Sequence, residues 1–270
     1  MGDLCEPLTE NQFILDKLAS VGKPVYHMLG NHDCDVKRKE DVLSFFKLPN
    51  SFYSFSYGSV KFIVLDACYM QDENGIRDYL GIEYDRKTMT YPFLPEWELS
   101  WLEKELEDSY PYFVILSHHS LQNPFGNRGV ANRREIWKKL KNAEKKGKQI
   151  LLCMNGHDHD DSIVMRGKTC CFTLNASSYI WLPDEYEHFF YPKKLHERYP
   201  LLKNILLYEK TPFAIIAILE DGTVSVSGME GYYRDCSPQE LGVDQWNGRK
   251  LSSRISSFQI QNGQLVRQRG

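Results

Sequence analysis

The chain has 270 residues, 42% of them apolar, enough to bury one large core or two small ones. Its net charge of −3 offers no basic face, which argues against general nucleic-acid binding. No apolar run approaches the roughly 20 residues that span a bilayer, so no membrane span is expected.

In chain order, residues 9–20 carry Phe13, Leu15 and Leu18 at helical spacing, with Gly22 as a stop. Residues 25–29 read as a buried strand and 37–46 as a short amphipathic helix. Residues 53–57 and 60–66 pair around Gly58-Ser59, and 70–90 form a long polar loop. A helix over 95–107 has Pro95 in its first turn and turns Trp97, Leu99, Trp101, Leu102 and Leu106 inward. A strand at 113–116, a helix at 131–146 and a strand at 149–154 follow. Residues 162–165 pair with 169–174 around Gly167-Lys168, and 213–219 pair with 223–228 around Glu220-Asp221-Gly222. Between these hairpins, residues 176–212 are irregular and crowded with Tyr179, Trp181, Tyr186, Phe189, Phe190, Tyr191 and Tyr199. Such a cluster reads first as core and second as one wall of a substrate cleft. Residues 231–270 are polar, with one strand near 254–260. The expected organisation is a domain over 1–230 and a C-terminal extension, 231–270, packed on it. The seven cysteines include no C-x-x-C pair and sit largely in apolar runs, which suits reduced thiols and a cytoplasmic setting.

Polar, metal-capable residues sit at the ends of the apolar runs. Gly30-Asn31-His32-Asp33 follows the first run, Ser117-His118-His119 the second and Gly156-His157-Asp158-His159 the third; Gly2-Asp3 opens the chain. That is where open α/β sheets place their ligands. Imidazole is the commonest metal ligand near neutral pH, and Gly156 offers a bend that turns both His157 and His159 to one point. Oxygen and nitrogen donors without thiolates suit Mn, Fe or Zn better than Ca or Cu(I).

The ordered set GD…GNHD…HH…GHDH, from residue 2 to about residue 175, resembles the calcineurin-like metallophosphoesterase family. The resemblance implies a four-layer αββα sandwich of two mixed sheets flanked by helices. It also implies a dinuclear centre of two divalent ions that hydrolyses phosphate esters with metal-activated hydroxide. Asp3 matches the family's bridging carboxylate. Asn31, His118 and His157 match ligands of one ion, and His159 matches a ligand of the other. His32 matches the general acid, and Asp33 is placed to orient its ring. His119 is expected behind the ligands or against the phosphate. The hairpin over 53–62, the 64–67 segment and the 162–174 region look, more loosely, like members acting on nucleotide diphosphates such as ADP-ribose. Small phosphorylated substrates, a nucleotide among them, are the expected partners.

One family element has no counterpart. The Asp-x-His pair on a first strand is absent, since Gly2-Asp3 follows Met1 directly. The resemblance then implies a fragment or a start at an internal methionine, with the first strand missing and one well-formed ion in this chain. The competing function is a catalytically inactive scaffold or phospholigand-binding protein of the same fold. Asp158, Asp160 and Asp161 read equally as solvated carboxylates or as partners of the imidazoles. His27, His188 and His196 carry no assignment.

Overall fold

The computed structural model describes residues 1–123, 125–126 and 128–269, and the chain divides into two units. The first unit comprises Met1–His157 and Arg166–Cys171, the second Asp158–Met165 and Phe172–Gly270.

In the first unit, helices α1 (Gln12–Ala19) and α2 (Lys39–Phe46) flank the Gly30-Asn31-His32-Asp33 turn. Strands β1 (Tyr53–Tyr57) and β2 (Val60–Leu65) form the expected hairpin. They are followed by β3 (Tyr69–Asp72), β4 (Gly75–Asp78), α3 (Glu96–Glu105), β5 (Tyr112–Ser117), α4 (Arg133–Lys145) and β6 (Gln149–Asn155). Beyond them β7 (Ser162–Arg166), which lies in the second unit up to Met165, turns through Gly167-Lys168 into β8 (Thr169–Thr173), of which Thr169–Cys171 belong to the first. The sheet order is β1-β2-β5-β6-β8, with β2, β5 and β6 mutually parallel. Ile63, Val64 and Leu65 on β2 and Phe113, Val114 and Ile115 on β5 are all buried, the continuous apolar run of a strand covered on both faces. Leu65 pairs with Ser117 and Leu116 with Met154, so these three strands end side by side. Asp66, His118 and Gly156 thus emerge along one carboxyl edge, and the Gly156 N–H donates to the His118 carbonyl at 3.1 Å.

Three expectations are corrected in this unit. Residues 25–29 belong to no strand. Met28 and Leu29 are buried, but side chains tie the segment down: Tyr26 stacks on Phe55 at 3.6 Å and the Tyr53 hydroxyl donates to the His27 carbonyl at 2.6 Å. The polar loop over 70–90 contains the β3–β4 hairpin, whose turn is set by Asn74 N–H donating to Asp72 Oδ1 at 2.9 Å. Trp97 is exposed, whereas Glu98 points inward, where its Oε1 accepts the Asp66 N–H at 2.8 Å.

The second unit contains β9 (Tyr179–Trp181), α5 (Lys193–Arg198), β10 (Ile205–Lys210), β11 (Ala214–Ile218) and β12 (Val224–Gly228). Short β13 (Tyr232–Tyr233), β14 (Gln245–Trp246) and β15 (Arg249–Lys250) precede β16 (Ser257–Gln261) and β17 (Gln264–Arg269). The segment read as irregular therefore supplies two strands. Its Ile180, Leu182, Leu206 and Tyr208 build a core with Val243 and Leu251, while Phe189, Phe190 and Tyr199 are exposed. The tail forms a hairpin that extends β11-β12 into the four-stranded order β11-β12-β16-β17. The chain is a mixed α/β protein with several sheets and helices. No helix among the described residues is long and apolar enough to cross a membrane, and all seven cysteines are free.

Candidate metal centre

His118 leaves the end of β5 and is almost completely buried. Its Nδ1 donates to the Met1 carbonyl at 2.6 Å. In the neutral ring that commitment leaves Nε2 with its lone pair, and the tautomer is set by a backbone oxygen. Around Nε2 lie Asp3 Oδ2 at 3.0 Å, Asn31 Oδ1 at 3.2 Å and His157 Nδ1 at 3.3 Å. These are electron-pair donors from four separate stretches of chain, facing one another. Mutual repulsion in such a cluster is relieved by a positive charge at its centre, and a divalent cation suits this O/N donor set. The residues present therefore fit an ion. His119 joins the cluster: one ring nitrogen from each of His118, His119 and His157 lies within 4.8 Å of the others.

Local backbone makes this convergence expensive. Of the converging residues, Asp3 (φ 54°) and His157 (φ 61°) are left-handed, at about 1–3 kcal/mol each, as is His159 (φ 48°) two positions further along the chain. The bend after β6 thus falls on the histidines and not, as the sequence suggests, on Gly156. That glycine is required for a different reason: a Cβ on it would lie 2.8 Å from the Met1 carbonyl oxygen. A Cβ on Gly30 would lie 2.5 Å from the Asp3 backbone nitrogen.

Asp33 does not orient His32. Its carboxylate accepts the N–H groups of Gly30 (2.8 Å), Asp3 (3.0 Å) and Leu4 (3.1 Å), fastening the Asp3 segment to the turn. Burial, with the neighbouring Asp3 charge, pushes the Asp33 carboxyl up to about 6. Burial acts the same way on Asp3, but a protonated His118 ring, together with His32, outweighs it and holds that carboxyl well below the usual range; the neutral, ion-binding form of His118 exerts no such pull. His32 instead meets Asp35, whose Oδ2 lies 2.6 Å from its Nδ1. Partial burial disfavours the imidazolium, but the Asp35 hydrogen bond outweighs it together with the Asp3 and Asp33 charges, and the His32 pKa is raised.

A family model for calcineurin-like phosphoesterases matches residues 1–161. The chain belongs to that family. Among solved structures it is similar to a dimetal phosphatase from Danio rerio, at 16% identity and TM-score 0.55 over 86% of this chain and 81% of that one. A second similarity is to GAP50, the anchor in the inner membrane complex of Plasmodium, at 12% identity and TM-score 0.37 over 70% of this chain and 56% of that one. No curated protein matches the chain.

In this calcineurin-like phosphoesterase the structure brings Asp3, Asn31, His118 and His157 together. His159 lies in the second unit, where its Nδ1 is 3.2 Å from the Tyr179 carbonyl and its ring is 4.8 Å from the Tyr179 ring. Asp160 and Asp161, also in the second unit, are neither solvated nor paired with imidazoles. Asp161 accepts the Ser256 N–H (3.0 Å) and hydroxyl (2.7 Å), and Arg249 lies 3.6 Å from Asp160. Sequence reasoning missed Asp35, Tyr91 and Arg128. Asp35 is two residues past the GNHD block, a spacing that places it at the His32 ring once the short helical turn His32–Cys34 forms. Tyr91, whose hydroxyl is 2.8 Å from His119 Nε2, carries no sequence signal of that contact.

Proposed function

We propose that this phosphoesterase hydrolyses a phosphoester or nucleotide pyrophosphate bond, with Asp3, Asn31, His118 and His157 holding a divalent ion such as Mn²⁺. The observation that carries this reading is the approach of three donor atoms to within 3.0–3.3 Å of His118 Nε2. An ion bound there supplies Lewis-acid charge for the phosphoryl oxygens and activates water. His159 is assigned to a second ion on the family resemblance. His32, half-exposed and with its pKa raised by the Asp35 hydrogen bond and the Asp3 charge, gives its proton to the leaving oxygen. His119 is fully buried, with Nε2 engaged by Tyr91 and Nδ1 without a partner, which suits a contact to a phosphoryl oxygen.

The nucleotide preference rests on the looser likeness of residues 53–62, 64–67 and 162–174 to family members acting on nucleotide diphosphates. On β9, Tyr179 and Trp181 flank buried Ile180, so period two puts both half-buried rings on one face, 5.5 Å apart, beside His159. The rings meet edge to face at 87°, so one of them, not both, can offer its face to a nucleobase. A Mn²⁺-supplemented panel of phosphomonoesters, cyclic nucleotides and nucleotide diphosphates tests the assignment. Turnover of nucleotide diphosphates is expected. Cleavage of monoesters alone would rule out the diphosphatase version, and binding without turnover would favour the phospholigand-binding alternative.

A further inference from the structure

Beyond the His118-His119 end of β5, residues 120–123, 125–126 and 128–130 are tied to one another by hydrogen bonds. The Val130 N–H donates to the Ser120 carbonyl at 3.0 Å. Ser120 Oγ accepts the N–H groups of Gln122 (3.1 Å) and Asn123 (2.8 Å), and Asn123 Oδ1 accepts that of Gly129 (2.7 Å). Phe125 is buried, and the Arg128 N–H donates to its carbonyl at 3.1 Å. Residues tied in this way present side chains from a fixed frame.

What they present is Arg128. Its guanidinium carbon lies 5.7 Å from the Phe125 ring centroid, and its Nη2 lies 3.5 Å from His157 Nε2. Among the described residues no carboxylate pairs with it. The chain thus holds a permanently charged, half-buried fork of donors against the candidate centre without a structural anion to justify it. A guanidinium matches the geometry of phosphate oxygens in a way that an ammonium does not.

We propose that Arg128 is the phosphoryl-oxygen clamp of this centre, a specificity residue that grips the anionic oxygens beside the ion held by Asp3, Asn31, His118 and His157. The phosphate ester as ligand rests on the phosphoesterase reading above. The clamp is distinct from a role in which Arg128 merely steadies His157, because steadying His157 would act on the ion and gripping phosphate would not.

Inorganic phosphate is the probe, measured by equilibrium dialysis against the Mn²⁺-saturated chain, with Mn²⁺ affinity measured in parallel. R128Q should weaken phosphate binding on the order of 10- to 100-fold, the range for a lost charge-assisted hydrogen bond, and leave Mn²⁺ affinity unchanged. R128K, which keeps the charge but loses the fork, should fall between. Phosphate affinity unchanged in R128Q, no phosphate binding by the native chain, or Mn²⁺ affinity falling in both variants would each overturn the clamp. If the native chain hydrolyses no phosphoester yet binds phosphate through Arg128, the phosphoesterase reading fails and the clamp stands.

Discussion

Lys39 begins the helix that follows the Gly30-Asn31-His32-Asp33 turn, and replacing it by methionine should be among the most damaging single changes outside the centre. Its buried ammonium meets Asp66 at 2.7 Å, Asp78 at 2.9 Å and the Cys68 carbonyl at 2.9 Å, and lies 3.4 Å from the Tyr69 ring centroid. Asp78 is 51% exposed and screened by solvent, so the magnitude is set by Asp66, whose side chain is 0% exposed. Lys39→Met leaves that carboxylate uncompensated, a loss of about 3–5 kcal/mol near neutral pH. The pH dependence has a definite sign. Burial pushes the Asp66 carboxyl up, but Lys39 more than offsets it, so its native pKa lies below the ordinary value. The native pair therefore adds stability above the unfolded pKa of about 4 and loses it as pH falls. Without Lys39, burial is opposed only by hydrogen bonds from Ser51 and the Cys68 N–H, and the variant should lose stability as pH rises through the same region. The gap between the two proteins should widen from acid to neutral pH. Adding Asp66→Asn to the variant should recover most of the loss. Urea unfolding between about pH 4 and pH 7 reads all three proteins. A loss that is small or independent of pH would refute the reasoning.

His32→Ala should depress turnover by about 10²–10⁴-fold with metal content unchanged, and Asp35→Asn should act in the same direction but less severely; loss of metal in His32→Ala would remove the acid assignment. Burial raises the Glu98 carboxyl well above its ordinary range, so the native chain loses stability as pH climbs above the unfolded value of about 4.3. Glu98→Gln keeps the acceptor for the Asp66 N–H and removes the ionisation. It should be more stable than the native chain at neutral pH, converging with it in acid, and thermal melts that rank the two in the opposite order would contradict this.

Much of the architecture is legible in the sequence where one physical signal dominates. Strands β2, β5 and β6 show as apolar runs because both faces are covered, and α4 shows because Ile136, Trp137, Leu140 and Ala143 recur on one buried face. The polar blocks after those runs converge because parallel strands in register end together. The rest depends on contacts that no local pattern encodes. The β3–β4 hairpin is half-exposed and polar, so it reads as loop. Residues 25–29 read as a strand but are held by ring stacking and a tyrosine hydroxyl. Asp33 and Asp35 are chemically alike and two positions apart. Only the short helical turn at His32–Cys34 decides that Asp35 meets the imidazole while Asp33 binds three backbone N–H groups.

The central claim is that Asp3, Asn31, His118 and His157 hold one ion. Its most direct test is Mn²⁺ binding to the native chain and to Asn31→Ala, His118→Ala and His157→Ala by equilibrium dialysis. Saturable binding that weakens in every variant by at least the roughly 10–100-fold typical of losing a supporting partner is the expected result. Variants that bind Mn²⁺ as tightly as the native chain would place the ion elsewhere and contradict the assignment.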